Sequence, residues 1–131
     1  MKTPIDLVKT ARSEIKEIEN KDLCSAIDNK ALLIDVREGE EYSQGFISHA
    51  INIPRGLIEF AIFEHPKVKP LLCDNISETP IYLYCKSGGR SALAAQSLNK
   101  LGFNKVFSLK GGIMGWEAEG YQISKEENYH Y

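Results

Sequence analysis

A cysteine and an arginine enclose a short glycine-rich segment, CKSGGRS, which runs from Cys85 to Ser91. The segment follows the apolar run IYLY (81–84) and precedes the helix-forming sequence ALAAQSL (92–98). Paired glycines allow a tight turn that directs several backbone N–H groups at one point, and the helix adds the positive end of its dipole. Such a loop stabilises negative charge on a sulfur atom. We therefore expect Cys85 to be a nucleophile at the carboxyl edge of a sheet, where α/β proteins bind ligands.

The charged residues of this loop have both a chemical and an ordinary structural interpretation. Lys86 and Arg90 could attract an anionic substrate, or they could be a solvated lysine and an arginine at the start of a helix. Cys85 could likewise be a buried thiol beside a glycine turn. Cysteine, paired glycines and arginine together at a strand–helix junction favour the chemical interpretation for Cys85 and Arg90. For Lys86 both interpretations remain open.

Length and composition are those of an ordinary globular domain. The 131 residues fit one domain with a single core, and 43% hydrophobic and 26% charged residues are typical proportions. A net charge of -2 gives no reason to expect nucleic acid or an acidic membrane surface as a partner. No apolar run approaches the length of a membrane span. Three cysteines without CxxC spacing, and an N-terminus without an apolar signal segment, predict a protein of the reducing cytoplasm.

The other candidate ligands and nucleophiles are scattered along the chain. Cys24 fits a core position on a helix, and Cys73 lies in a segment with weak structural signals. Histidines occur at His49, His65 and His130 without ligand spacing, so we expect neither a metal nor a cofactor. His49 could act as a general base, although a surface loop position is favoured.

The elements that must position the loop alternate between strands and helices. Apolar residues at helical spacing predict an amphipathic helix over residues 4–14, with Thr3 as its N-cap. The nearly continuous apolar run 32–36 predicts a strand buried on both faces, and further strands are predicted at 15–18, 50–53, 81–84 and 106–109. Helices are predicted at 21–28 (N-cap Asn20), 38–43, 56–63, 91–101 and 111–120. The pattern predicts an α/β fold with a mostly parallel sheet, a loop over 65–79 and a polar, frayed tail from Ser124 onward.

One charged residue lies inside a predicted buried strand. Asp35 ends the run LLID and is followed by Val36 and Arg37. A carboxylate in that position needs partners, which backbone amides or a nearby arginine could supply.

Four segments of the sequence resemble the single-domain rhodanese family of sulfurtransferases. In chain order they are DVRE (35–38), EYSQGFISHAINIP (41–54), YCKSGGRSALAAQSL (84–98) and GFNKVFSLKGGIMGW (102–116). The third segment is the most specific, and the order and spacing of all four strengthen the resemblance, which covers most of the chain from residue 15 onward. The chain departs from the family at Phe46, where the family usually has a histidine that takes no part in the sulfur chemistry.

The resemblance implies a three-layer α/β domain with a central, mainly parallel five-stranded sheet flanked by helices. It implies one rhodanese domain over residues 15–122, with a helical extension over 1–14 and a polar tail over 123–131.

The resemblance also implies roles for the loop residues. Cys85 would accept a sulfane sulfur as a persulfide and pass it to an acceptor. The transferred sulfur and the donor's anionic group would be cradled by the backbone amides of Lys86, Ser87, Gly88, Gly89 and Arg90. Structural support for the site would come from Asp35, Arg37 and Ser91. The expected donor is a small anion such as thiosulfate, and the expected acceptor is cyanide, a thiol or a thioredoxin-like protein, with no nucleic acid and no membrane.

Two other functions stand as alternatives to sulfur transfer. A cysteine phosphatase or arsenate reductase also uses a Cys–Arg anion loop, but with one residue more than the four between Cys85 and Arg90. The shorter loop should be too small for phosphate and sized for sulfur. A non-catalytic rhodanese module would bind a partner protein, but such modules commonly lose the cysteine that this chain keeps. A sulfur-relay module that binds a partner protein is a further form of this alternative.

Overall fold

A five-stranded sheet forms the centre of the protein in the computed structural model, which describes residues 1–125. The strands are β1 (Lys16–Ile18), β2 (Leu32–Asp35), β3 (Ile51–Asn52), β4 (Ile81–Tyr84) and β5 (Val106–Leu109). They lie in the order β1-β5-β4-β2-β3, and every neighbouring pair is parallel. The predicted α/β class with a mainly parallel five-stranded sheet is confirmed.

Within residues 1–125, six α-helices connect and cover the strands. They are α1 (Pro4–Glu14), α2 (Asn20–Asp28), α3 (Gly39–Ser43), α4 (Ile58–Ala61), α5 (Gly89–Leu101) and α6 (Gly112–Ala118). Short 3-10 turns occupy Arg55–Leu57, Lys69–Leu71 and Ile76–Glu78. The last two turns lie in the segment 65–79, for which the sequence predicts a loop.

The sheet is buried on both faces, which explains its continuous apolar strands. On one face, Ile34 and Leu83 belong to a core that includes Leu98 of α5 and Ile58 of α4. On the other face, strand residues pack with side chains of α2, α3 and α6, namely Leu33, Tyr84, Leu109, Leu23, Tyr42, Ile113 and Trp116. The result is the predicted three-layer arrangement of helices, sheet and helices.

Helices α2 and α5 begin earlier than the sequence predicts. Asn20 is the first residue of α2, and Glu19 is the N-cap, without a side-chain hydrogen bond. Helix α5 begins at Gly89, two residues earlier than predicted, because Gly88 adopts a left-handed backbone (φ 108°) and accepts the first helical hydrogen bond from Ala92. An early helix start brings the positive end of α5 closer to Cys85.

The predicted helix over residues 4–14 and its cap are confirmed. The Thr3 hydroxyl accepts a hydrogen bond from the Asp6 amide (3.2 Å), and the Asp6 carboxylate accepts one from the Thr3 amide (2.9 Å). Helix α1 packs along α5, with Ala11 fully buried and Gln96 donating to the Glu14 carboxylate at 2.9 Å. The N-terminal helix is therefore attached to the helix that follows the cysteine.

The start of the predicted frayed tail is paired. Phe46 and Ser124 exchange two backbone hydrogen bonds, of 2.9 and 2.7 Å, in an antiparallel bridge. Residues 126–131, the rest of that predicted tail, lie outside the described residues. Across residues 1–125, no helix has the length and apolar character needed to cross a membrane.

The start of α6 contacts the backbone just after β4. The amides of Ile113 and Met114 donate to the carbonyls of Cys85 (2.9 Å) and Lys86 (3.0 Å). Gly112 lies next to these amides with φ 59°, and a Cβ atom there would lie 2.6 Å from the Cys85 oxygen and against the Lys86 carbonyl. The approach of α6 to this backbone thus requires glycine at position 112.

We expect Gly112→Ala to destabilise the domain by at least about 2–3 kcal/mol, since backbone strain and overlap with fixed carbonyls add together. Urea denaturation measures the loss. Gly102→Ala is the matched control, because Gly102 is also left-handed (φ 112°) but a Cβ atom there would have no neighbour within 4 Å. It should lose only about 1 kcal/mol. Equal losses in the two variants would contradict the importance of the close approach.

Candidate active site

Cys85 directly follows β4, and its side chain is only 1% exposed. The sulfur accepts hydrogen bonds from the backbone N–H groups of Gly88 (3.1 Å) and Ser91 (3.4 Å). The thiol in turn donates to the Ser91 hydroxyl oxygen at 3.5 Å. We use the name Cys85 loop for residues 85–91. A reacting atom must enter this loop to meet the sulfur, and it then faces the same N–H groups.

The Ser91 side chain connects the Cys85 loop to β5. Its hydroxyl lies 2.8 Å from the Ser108 hydroxyl and also donates to the Gly88 carbonyl at 3.3 Å. Ser108 is fully buried on β5, and the sequence analysis missed it. One signal was available, because a serine interrupts the otherwise apolar strand VFSL.

The other residues of the Cys85 loop differ in their exposure to solvent. Gly88 is buried beneath the turn, whereas Gly89 is half-buried at the start of α5. Lys86 and Ser87 are exposed. The sequence-predicted loop residues thus lie together around one sulfur, with the lysine side chain on the outside.

Arg90 is held by a carboxylate partner that the sequence analysis did not identify. Its Nη1 and Nη2 atoms donate to the two carboxylate oxygens of Glu41, at 2.7 and 2.9 Å. Glu41 also accepts the Glu38 amide at 3.1 Å and so caps α3. This bidentate pairing uses one edge of the planar guanidinium group. The role of Arg90 as a ligand for the donor's anion stays a prediction.

The hydrogen bonds between Arg90 and Glu41 shift the pKa values of both groups. The hydrogen bond from Arg90 lowers the pKa of Glu41 from 4.5 to about 2, although partial burial opposes this shift. The same hydrogen bond raises the pKa of Arg90, against a smaller opposing effect of burial. Both groups are therefore charged throughout the neutral range.

Asp35 and Arg37 form a buried ion pair at the end of β2, the strand beside β4. The Arg37 Nη2 atom lies 2.7 Å from Asp35 Oδ2, and the backbone amide of Arg37 donates to Asp35 Oδ1 at 2.9 Å. Arg37 Nη2 also donates to the Gly45 carbonyl at 2.7 Å. The side-chain amide of Asn52 donates to the backbone carbonyls of Asp35 and Arg37. Asp35 therefore has both kinds of partner that its buried position required.

Tyr84 connects this pair to the loop. The Arg37 guanidinium lies 5.7 Å from the centre of the Tyr84 ring, and the Tyr84 hydroxyl accepts the Ile47 amide at 3.0 Å. Burial, followed by the charge of Asp35, raises the pKa of Tyr84 far above its usual value. Tyr84 is thus a neutral, fixed residue immediately before Cys85.

Helix α1 also reaches the Cys85 loop, which the sequence analysis did not predict. A Cβ atom on Gly89 would lie 3.5 Å from Val8, and one on Gly88 would lie 3.1 Å from Arg12 Nη2. Val8 and Arg12 are one helical turn apart, so one face of α1 lies against the loop. The sequence carried no signal for this contact, because it depends on how α1 packs on α5.

The described part of the chain contains no group of three or more His, Cys, Asp or Glu side chains that could hold a metal ion. His49 is exposed in a loop, with a left-handed backbone at φ 74°. His130 lies outside the described residues.

We expect the Glu41–Arg90 pair to stabilise the protein above the ordinary carboxyl pKa and to lose this effect in acid. Because folding lowers the pKa of Glu41, the contribution is complete above about pH 4.5 and disappears as the pH falls toward 2. Thermal unfolding of wild type and Glu41→Gln from neutral to acidic pH measures it. The melting temperatures should differ at neutral pH and converge below pH 4.5. A difference independent of pH would contradict this assignment.

Arg37→Ala should destabilise the fold by about 3–5 kcal/mol, because it leaves the Asp35 carboxylate buried without its cation. Denaturant unfolding provides the measurement. The exposed Glu64–Lys69 pair, with an N–O distance of 3.5 Å, supplies the control. Glu64→Ala should lose less than about 1 kcal/mol. A loss in Arg37→Ala as small as that of the control would overturn the structural role of the buried pair.

Comparison with known proteins agrees with this fold. The sequence model of the rhodanese-like domain family matches residues 19–119 of this chain. A sulfurtransferase of Allochromatium vinosum is 31% identical over 115 residues, which cover 86% of this chain and 98% of the relative.

Two solved structures share the fold. A Rhodopseudomonas palustris protein of unknown function, described as a possible tyrosine phosphatase, has a TM-score of 0.79 and 26% identity, covering 95% of this chain and 96% of that one. The human single-domain sulfurtransferase TSTD1 has a TM-score of 0.68 and 27% identity, covering 81% of this chain and 97% of that one. The family match and these similarities show that the chain belongs to the rhodanese-like domain family of sulfurtransferases.

Proposed function

We propose that the protein transfers sulfane sulfur through a persulfide on Cys85. The observation that carries this proposal is the convergence of the Gly88 and Ser91 amides on one buried sulfur. These N–H groups, with the N-terminus of α5, favour a negatively charged sulfur in the loop. The same groups would stabilise the outer sulfur of a persulfide, which is also an anion.

The reaction with thiosulfate proceeds in two displacements. The Cys85 thiolate attacks the outer sulfur of thiosulfate, a new S–S bond forms, the donor's S–S bond breaks, and sulfite leaves with the electron pair. An acceptor such as cyanide or a thiolate then attacks the outer sulfur of the persulfide and takes it, which returns the Cys85 thiolate. Sulfite leaves as an anion, so no general acid has to protonate it. The sequence of the Cys85 loop, which has no carboxyl or imidazole group, is suited to this chemistry.

The proposed sulfur transfer requires a sulfur donor and a sulfur acceptor. We propose a small anionic sulfur donor, and a thiol or thioredoxin-like protein as the acceptor. All three cysteines, Cys24, Cys73 and Cys85, are free thiols, which supports a reducing compartment such as the cytoplasm.

Phosphate ester hydrolysis is the competing function, because the similar Rhodopseudomonas palustris protein is described as a possible tyrosine phosphatase. Two features of this chain favour sulfur. Four residues separate Cys85 from Arg90, one fewer than in the Cys–Arg loops of phosphatases. The Arg90 guanidinium, which would hold the phosphate oxygens, is instead bound to Glu41.

Mass spectrometry after incubation with thiosulfate should show a one-sulfur adduct on Cys85. Cys85→Ser should abolish the adduct and lower thiosulfate:cyanide turnover by at least about a thousandfold, because no other group supplies the nucleophile. Cys73→Ser is the matched control, since Cys73 is an exposed thiol remote in sequence from the loop. It should keep both the adduct and the turnover.

Two results would contradict the proposal. One is a missing adduct, or an adduct that survives in Cys85→Ser. The other is Cys85-dependent hydrolysis of an aryl phosphate in preference to sulfur transfer, which would favour the phosphatase. A Cys85 persulfide that passes its sulfur only to a protein thiol, and not to cyanide, would identify a relay module.

A further inference from the structure

Ser108 places a fully buried hydroxyl on β5, the strand beside β4. Its oxygen lies 2.8 Å from the Ser91 hydroxyl oxygen, which in turn lies 3.5 Å from the Cys85 sulfur. In the part of the chain that the structure describes, this contact with Ser91 is the hydrogen bond that the Ser108 side chain makes. Ser108 is therefore connected to the reactive sulfur through a single hydroxyl group.

Stability alone does not account for a serine at this position. Val106 and Leu109 of the same strand are buried and apolar, and each belongs to the core on its own face of the sheet. A hydroxyl placed among them loses its hydration and regains about one hydrogen bond, so it stabilises the fold little compared with an apolar side chain. The contact with Ser91 points instead to a role in the active site.

The direction of the hydrogen bonds in this chain depends on the charge of the sulfur. Each hydroxyl carries one hydrogen, and Ser91 faces the Cys85 sulfur, the Gly88 carbonyl at 3.3 Å and the Ser108 oxygen. While Cys85 is a thiol, its hydrogen points to Ser91, and Ser91 donates to Gly88 or Ser108. Once the sulfur is a thiolate, Ser91 can donate to it, and Ser108 can donate to Ser91. Two hydroxyl groups that donate in series polarise each other and strengthen the bond to the anion.

We propose that Ser108 is a positioning residue, whose hydroxyl donates to Ser91 and so turns the Ser91 O–H group toward the Cys85 sulfur whenever this sulfur carries negative charge. The assignment rests on the proposed sulfur transfer and adds a residue to its machinery. Ser108 acts through Ser91, because the Ser91 hydroxyl is the one that lies next to the sulfur.

The second displacement is the step that depends most on this arrangement. Cyanide attacks the outer sulfur of the persulfide, a C–S bond forms, the S–S bond breaks, and its electron pair returns to Cys85 Sγ as thiocyanate leaves. Negative charge thus develops on the atom beside Ser91, and a thiolate leaves faster when its charge is stabilised. The first displacement gains less, because the hydrogen bond that favours the thiolate also makes it a weaker nucleophile.

Rapid mixing of the persulfide-loaded protein with cyanide measures this step as the rate of thiocyanate formation. Ser108→Ala should slow it about threefold to tenfold, because the Ser91 hydroxyl loses its donor. Ser108→Thr keeps a hydroxyl on a residue suited to a strand and should restore most of the rate. Ser108→Cys keeps the shape of serine with only a weak donor and should also be slow, so the test stands even if the alanine variant folds poorly. Wild-type rates in both Ser108→Ala and Ser108→Cys would overturn the proposal.

A double-mutant cycle tests whether Ser108 acts through Ser91. In a Ser91→Ala background, the additional change Ser108→Ala should leave the rate of thiocyanate formation unchanged, since the group that Ser108 orients is already gone. Effects of the two substitutions that multiply would contradict the proposed path.

Thr79→Val is the matched control for the loss of a buried hydroxyl. Thr79 lies near the opposite end of β4 from Cys85, and its hydroxyl accepts the Cys73 amide at 2.9 Å. The variant should lower the melting temperature without slowing thiocyanate formation, and an equal slowing in Thr79→Val and Ser108→Ala would refute the role of Ser108. A wild-type protein that forms no Cys85 persulfide would instead refute the proposed function, and with it this assignment. A persulfide that forms and discharges equally fast in wild type and the Ser108 variants would refute only the assignment.

Discussion

The Cys85 loop must point backbone N–H groups inward at the sulfur, and this orientation constrains everything around it. A turn that directs amides to its centre directs carbonyls outward, and carbonyls in a buried environment need donors of their own. Helix α6 provides them, because the Ile113 and Met114 amides bond the carbonyls of Cys85 and Lys86. The contact is close enough that Gly112 has to lack a side chain. The Cys85 loop and α6 are therefore one structural unit, although twenty residues separate them.

Two ion pairs near the loop have different physical settings and different consequences. Asp35 and Arg37 are almost completely buried, and they hold the segment around Gly45 against the end of β2. Arg90 and Glu41 are partly exposed and tie the start of α5 to α3. Both arginines bind a carboxylate, which offsets part of their positive charge. Further positive potential at the loop comes from its backbone N–H groups and from the exposed Lys86.

Local sequence signals were sufficient for the strands, the loop and the need of Asp35 for a partner. Each depends on neighbouring residues, because a continuous apolar run indicates burial on both faces and a buried carboxylate requires a partner. The Glu41 partner of Arg90 was not predictable in the same way, since these residues are 49 positions apart. The contact of Arg12 with the loop was also not predictable, because it depends on the packing of α1 against α5. The resemblance to known sulfurtransferases did not help there, since it begins after α1.

The division between predictable and unpredictable parts follows from the chemistry of the site. Backbone amides carry no side-chain identity, so any chain that folds into this loop presents the same N–H groups to a sulfur. The loop can therefore define the type of reaction, but it cannot distinguish one sulfane donor from another by the group attached to the sulfur. That discrimination would have to come from side chains around the loop, such as Val8 and Arg12 of α1, which lie against Gly89 and Gly88.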